Sequence, residues 1–135
     1  MDDEEGTPTN TRLGDLQLAI MRVLWDLGEA TVTDVHHALL DERGLAPTTI
    51  ATMLKKMEDK GVVAHRAEGR RFIYRPTMSQ DQVTRSMVLD LTSRLFEGSP
   101  MALVTHLISR HEIDPEELSD LERMIAMAKQ KEGKR

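Results

Sequence analysis

At 135 residues and 39% hydrophobic content, with 23 acidic against 18 basic side chains and a net charge of −5, the chain can build one compact unit or two small lobes around a buried core. It has no cysteine, which excludes disulfides, thiol catalysis, thiol redox sensing, iron–sulfur clusters and thiolate zinc sites. No apolar run approaches the ~18–20 residues that span a bilayer, and the acidic start Met1–Glu5 is unlike a signal peptide, so a cytoplasmic protein without membrane insertion is expected.

Residues 1–12 are polar, acidic and aperiodic, and read as a disordered tail. Leu16, Ile20, Val23, Leu24 and Leu27 then recur at helical spacing beside Trp25 and stop at Gly28, which predicts a first helix. Thr31 with Asp34 forms a capping-box start for a second, short helix with Val32, Val35, Ala38 and Leu39 on one face and an end near Gly44. Pro47 suits the first position of a third helix, whose apolar face is Ile50, Met53, Leu54 and Met57 and whose end is Lys60-Gly61. Thr48, Thr52, Lys55 and Asp59 fall opposite that face, with Thr49 and Lys56 at its flanks. Two β-prone stretches, Val62–Arg66 and Arg71–Arg75, are joined by Ala67–Arg70 as a hairpin, and Pro76 ends the second.

Three more helices follow. The capping box Ser79/Gln82 opens a run carrying Val83, Met87, Val88, Leu91 and Leu95 and closing at Gly98. Ser99-Pro100 starts the next, with Met101, Leu103, Val104, Leu107 and Ile108. Asp114-Pro115-Glu116-Glu117 starts the last, with acids where the helix dipole favours them and Leu118, Leu121, Met124, Ile125 and Ala128 as its apolar side.

The negative total charge hides an uneven distribution. Residues 1–10 hold four acids and no base, whereas Arg43 to Arg75 hold eight bases against three acids, so the cations sit where they can meet a polyanion. Three short helices followed by a cationic hairpin compose a winged helix-turn-helix, in which the third helix fits a DNA major groove. Threonine suits such a surface, because its hydroxyl bonds a base edge or phosphate and its methyl packs on thymine. The hairpin arginines Arg66, Arg70 and Arg71 would reach a neighbouring phosphate or the minor groove. The alternative is a winged-helix module for protein contact without DNA binding, which the acidic tail and net charge favour.

Catalytic and metal readings are weaker. His36 and His37 are adjacent and leave their helix on different sides, and His106 and His111 are five apart, which is not a ligand spacing on one helix face. There is no glycine-rich phosphate loop, and Asp114-x-x-Glu117 is explained by helix capping. Neither an enzyme nor a cofactor is expected, and most of the nine methionines are expected in the core.

From Leu13 to the last helix the sequence resembles the BlaI/MecI/CopY family of penicillinase and methicillin-resistance repressors. The stretches that carry the likeness are LGDLQLAIMRVLW, APTTIATMLKKMEDKG and HRAEGRRFIYRP, corresponding to the family's first helix, recognition helix and wing. The resemblance implies a dimeric transcriptional repressor that binds double-stranded operator DNA, with Thr48, Thr49, Thr52, Lys55, Lys56 and the wing arginines facing DNA, and a membrane sensor protease system upstream. The copper-responsive members' Cys-x-Cys motif is absent from the tail AMAKQKEGKR, and Thr105 and His106 stand where β-lactam-responsive members are cleaved after asparagine. Ala46 stands where the family often has a serine cap.

The expected fold class is thus mainly α with a small β-hairpin: a winged helix-turn-helix over 13–77 followed by a three-helix dimerisation region over 78–135. Three apolar-striped helices carry more hydrophobic surface than so small a lobe can hide, so Val83, Met87, Leu91, Leu95, Leu103, Leu107, Leu118, Leu121 and Ile125 are expected in a homodimer interface, and a cut after Pro76 is expected to give a folded monomer.

Overall fold

The computed structural model describes residues 12–133; the tail expected over residues 1–12 lies, apart from Arg12, outside them. The element order is α1 (Asp15–Leu27), β1 (Ala30–Thr31), α2 (Val32–Arg43), α3 (Pro47–Lys60), β2 (Val63–Glu68), β3 (Arg71–Pro76), α4 (Gln80–Phe96), α5 (Pro100–Ser109) and α6 (Pro115–Gly133). The fold is mainly helical with a small antiparallel sheet. Contacts divide the chain into two units at Asp90–Leu91, inside α4.

In the first unit the local signals sit at the helix ends. Gly28, Gly44 and Gly61 follow α1, α2 and α3, and the amide of each donates to a carbonyl of the last turn. At α2 the Asp34 amide donates to Thr31 Oγ1 at 3.1 Å while the Thr31 amide donates to Asp34 Oδ2 at 3.0 Å, a reciprocal capping box. These bonds hold the Asp34 carboxyl below its usual range. The stabilisation from Asp34 is therefore complete at neutral pH and is lost as acidification passes through its lowered pKa. Thr31→Ala is expected to cost about 1 kcal/mol of stability, read as a lower urea midpoint. At α3, Pro47 occupies the first turn and Ala46 makes no side-chain cap bond.

Thr31 also belongs to β1, a two-residue strand that the alternation of residues did not signal. It adds to the hairpin in the order β1-β3-β2, pairing Ala30 with Tyr74 and Thr31 with Ile73. β2 runs two residues further than the sequence suggests, to Glu68, which pairs with Arg71 across a two-residue turn. Gly69 takes φ +64 there and Arg70 does not have positive φ, as in hairpin turns that need a left-handed residue only at the first central position.

Ile20, Met21 and Leu24 of α1, Val35 and Leu39 of α2, and Ile50, Leu54 and Met57 of α3 bury against one another and against Val62, Val63 and Tyr74. Leu27 and Ala38, expected on apolar faces, are exposed: Leu27 ends its helix, and Ala38 flanks a groove between α1 and α2. The same core continues past the hairpin. Met78 is 3% exposed and Val83 1%, with the half-buried Met87 packed against the same core, and the Trp25 indole Nε1 donates to the Met78 carbonyl at 2.9 Å. Val83 is thus occupied within its own chain, although the sequence reading had placed it in a dimer interface; the first turns of α4 complete the N-terminal core.

In the second unit α5 and α6 start at Ser99, whose Oγ accepts from the Ala102 amide at 3.0 Å, and at Asp114, which exchanges bonds with Glu117 at 2.9 and 3.1 Å. Neither helix has a buried residue. Leu95 is 69% exposed, Met101 70% and Ile125 53%, while Leu91 and Leu118 are also exposed and Leu103, Leu107 and Leu121 are half-buried. Met124 and Met127 are exposed too, so burial of the methionines is confined to Met21, Met57 and Met78 among the described residues.

Candidate nucleic-acid interface

On α3 the buried positions Ile50, Leu54 and Met57 fix the rotation of the helix, and Thr48, Thr49, Thr52, Lys55 and Lys56 consequently all emerge into solvent. Lys55 and Lys56 form no ion pair among the described residues. Lys60 is turned back instead: its ammonium donates to the Arg12 carbonyl and, at 2.9 Å, to Gln17 Oε1, which clamps the end of α3 to the start of α1.

Between α3, the N-terminus of α2 and the hairpin lies a cleft of about 610 Å³. Lys55 from α3 and Arg70 and Arg71 from the hairpin line it together, so residues fifteen positions apart in sequence share one surface. Its floor is aromatic: the His65 ring stacks on Phe72 with centroids 4.1 Å apart and tilts against Tyr74 at 5.5 Å. His65 Nδ1 donates to the Glu58 carboxylate, 2.8 Å from both oxygens, which joins the last turns of α3 to β2. Burial, with Glu58 adding, pushes the Tyr74 hydroxyl upward in pKa and keeps it neutral. Thr48, Thr49, Thr52 and Lys56 lie outside the cleft, along the exposed length of α3.

The three hairpin arginines are not equivalent. Arg66 Nη2 donates to Glu29 Oε1 at 2.6 Å and Nη1 to Glu68 Oε2 at 3.3 Å; Arg71 Nη2 donates to Glu68 Oε1 at 3.2 Å. Glu29, followed by Glu68, raises the guanidinium pKa of Arg66, and Arg71 with Arg66 lowers that of Glu68. Arg70, at the turn, forms no ion pair among the described residues. Arg66 is absent from the cleft lining that includes Arg70 and Arg71.

Sequence reasoning did not single out Thr33 or Phe72. Thr33 lies exposed in the first turn of α2, on the rim of the cleft, and Phe72 on the hairpin is 47% exposed. The only local sign of Thr33 was the Thr31-Val32-Thr33 entry to a helix. The partner of Arg66, Glu29, had no sign at all, being 37 residues away. Among the described residues no three His, Asp or Glu side chains gather to hold a metal, and no helix is long and apolar enough to cross a membrane.

The family model described as penicillinase repressor matches residues 13–127. The transcriptional regulator BlaI of Mycobacterium tuberculosis is 33% identical over 127 residues, covering 93% of this chain and 91% of that protein. The penicillinase repressor of Bacillus licheniformis is 25% identical over 114 residues, covering 84% and 89%. A solution structure of the DNA binding domain of the repressor BlaI has 30% identity and a TM-score of 0.49 over 56% of this chain and 89% of that one. With a family model spanning the winged helix and most of the helices after it, the chain belongs to the penicillinase repressor family.

Proposed function

We propose that the protein is a transcriptional repressor that binds double-stranded operator DNA as a homodimer, with α3 reading base edges and the hairpin contacting the backbone. The observation that carries this reading is the exposed threonine-and-lysine face of α3 adjoining a cleft on which Lys55, Arg70 and Arg71 converge. Lys55 and Arg70, which form no ion pair among the described residues, attract phosphate, while short hydroxyl side chains on a groove-sized helix discriminate bases. The names of the relatives, a transcriptional regulator and a penicillinase repressor, support it. The dimer is supported by the apolar side chains that α4, α5 and α6 leave exposed in a single chain, Leu91, Leu95, Leu118 and Ile125 foremost. Leu103, Leu107 and Leu121 would border that interface, and Met87 would join it only where it is not already packed on the N-terminal core.

The upstream partner in this reading is a membrane sensor protease system. Thr105 and His106 lie inside α5, so cutting between them requires that helix to open locally.

The test uses a duplex that the protein enriches from a random pool, with a scrambled duplex as control. Thr48→Ala and Thr52→Ala are expected to lose about 1–3 kcal/mol on the enriched duplex and little on the scrambled one. Arg70→Ala is expected to weaken both alike and to reduce the log–log salt slope by about 0.9. An unchanged preference in the threonine variants would exclude α3 as the reading element. Absence of any sequence preference or salt slope in the parent protein would favour a protein-contact module instead.

A further inference from the structure

The outer half of the hairpin is held by charge rather than by the core. Along β2 burial fades after His65, leaving Arg66, Ala67 and Glu68 exposed, and on β3 Arg71 and Phe72 are exposed as well. Arg66 pairs in register with Ile73 of β3, and Ile73 pairs on its other side with Thr31 of β1. Glu29 immediately precedes β1. The Arg66 guanidinium therefore crosses the central strand to reach Glu29 Oε1 at 2.6 Å, tying the outer strand of the hairpin to the far margin of the sheet.

This link stands at the point where packing stops. Its second nitrogen takes Glu68, and Glu68 in turn takes Arg71 across the turn, so Glu29, Arg66, Glu68 and Arg71 form a ladder of two carboxylates and two guanidiniums with no net charge. A guanidinium engaged by two carboxylates presents no surplus positive potential to a phosphate. Arg70 stands outside the ladder, at the tip.

We propose that Arg66 is a positioning residue that sets the orientation of the wing through Glu29, and that it is not one of the phosphate contacts. This inference rests on the operator-binding reading above. It reassigns one of the three arginines that sequence alone would send to DNA, and it assigns Glu29 a role in DNA binding without contact.

The sign of one effect decides. Titrations across several salt concentrations compare the parent chain with Glu29→Gln, Arg66→Ala, Arg66→Lys, the Glu29→Gln/Arg66→Ala pair and Arg70→Ala on the enriched duplex. If Arg66 positions the wing, Glu29→Gln lowers affinity roughly two- to fivefold, the range of one exposed ion pair, with an unchanged salt slope. Arg66→Ala does the same, the double variant is no worse than either single one, and Arg66→Lys recovers most of the loss. Arg70→Ala alone flattens the slope, by about 0.9. If Arg66 binds phosphate, Glu29→Gln releases it and affinity rises, while Arg66→Ala flattens the slope as Arg70→Ala does; that result overturns the proposal. Amide hydrogen exchange in the free protein supplies an arm independent of DNA. Both Glu29→Gln and Arg66→Ala should speed exchange across Val63–Pro76 without lowering the global unfolding midpoint, and unaltered protection overturns the proposal. A parent chain that binds no duplex with preference would count against the operator reading, and the exchange arm would still decide the role of Arg66 in holding the wing.

Discussion

Truncation after Asp90 is expected to leave a folded monomer whose affinity for the enriched duplex falls by about 10²- to 10⁴-fold. The fragment keeps every residue of the N-terminal core, including Met78, Val83 and the half-buried Met87, together with the whole of α3 and the hairpin. It loses the helices whose apolar side chains are unburied in a single chain. Two tethered reading heads engage two half-sites with an affinity that exceeds one head's by that factor, because the second contact becomes intramolecular. Sedimentation velocity and a duplex titration on the same preparation check both parts. A fragment still dimeric at micromolar concentration would place the interface in the first unit.

Met78→Ala is expected to destabilise the protein by about 2–5 kcal/mol, as a drop in urea midpoint with the m value unchanged. Met78 precedes α4 and lies beyond the hairpin, yet it is 3% exposed and packs in the same cluster as Leu24 and Leu54. Removing its thioether leaves a cavity that the surrounding α1 and hairpin residues cannot collapse into without moving. A fragment ending at Pro76 lacks both Met78 and Val83 and should be less stable than one ending at Asp90. Equal midpoints for the two fragments would show that the start of α4 contributes nothing to the N-terminal core. Ile125→Ala should behave differently if the protein assembles as proposed: Ile125 is exposed in a single chain, so its effect on the midpoint should depend on protein concentration.

The sequence spoke most clearly where a few adjacent residues settle a local geometry. Thr31/Asp34, Ser79/Gln82 and Asp114/Glu117 each form the reciprocal bonds that their spacing announces. Pro47 and Gly61 bracket α3, and the exposed stripe of Thr48, Thr52 and Lys55 follows from where Ile50, Leu54 and Met57 are buried. It spoke less clearly wherever the deciding partner is distant. β1 is two residues long and exists only because Tyr74 and Ile73 lie alongside, so no periodicity marks it. Apolar spacing along α4 shows that Val83, Met87, Leu91 and Leu95 can be buried, but not against what: the first two meet their own chain, while Leu91 and Leu95 remain exposed in it. A charge tally likewise counts Arg66 as a free cation, whereas Glu29 neutralises it from across the sheet.

The bond from the Trp25 indole to the Met78 carbonyl gives the molecule an optical property. Trp25 is its single tryptophan, it is half-buried on α1, and the carbonyl that accepts its indole N–H belongs to the segment that leads from the hairpin into α4. If that segment lifts away, the indole loses its acceptor and meets water, and its emission moves to longer wavelength. Intrinsic fluorescence therefore reports the docking of the approach to α4 on the N-terminal unit, free of any attached dye, in the same cuvette in which DNA is titrated.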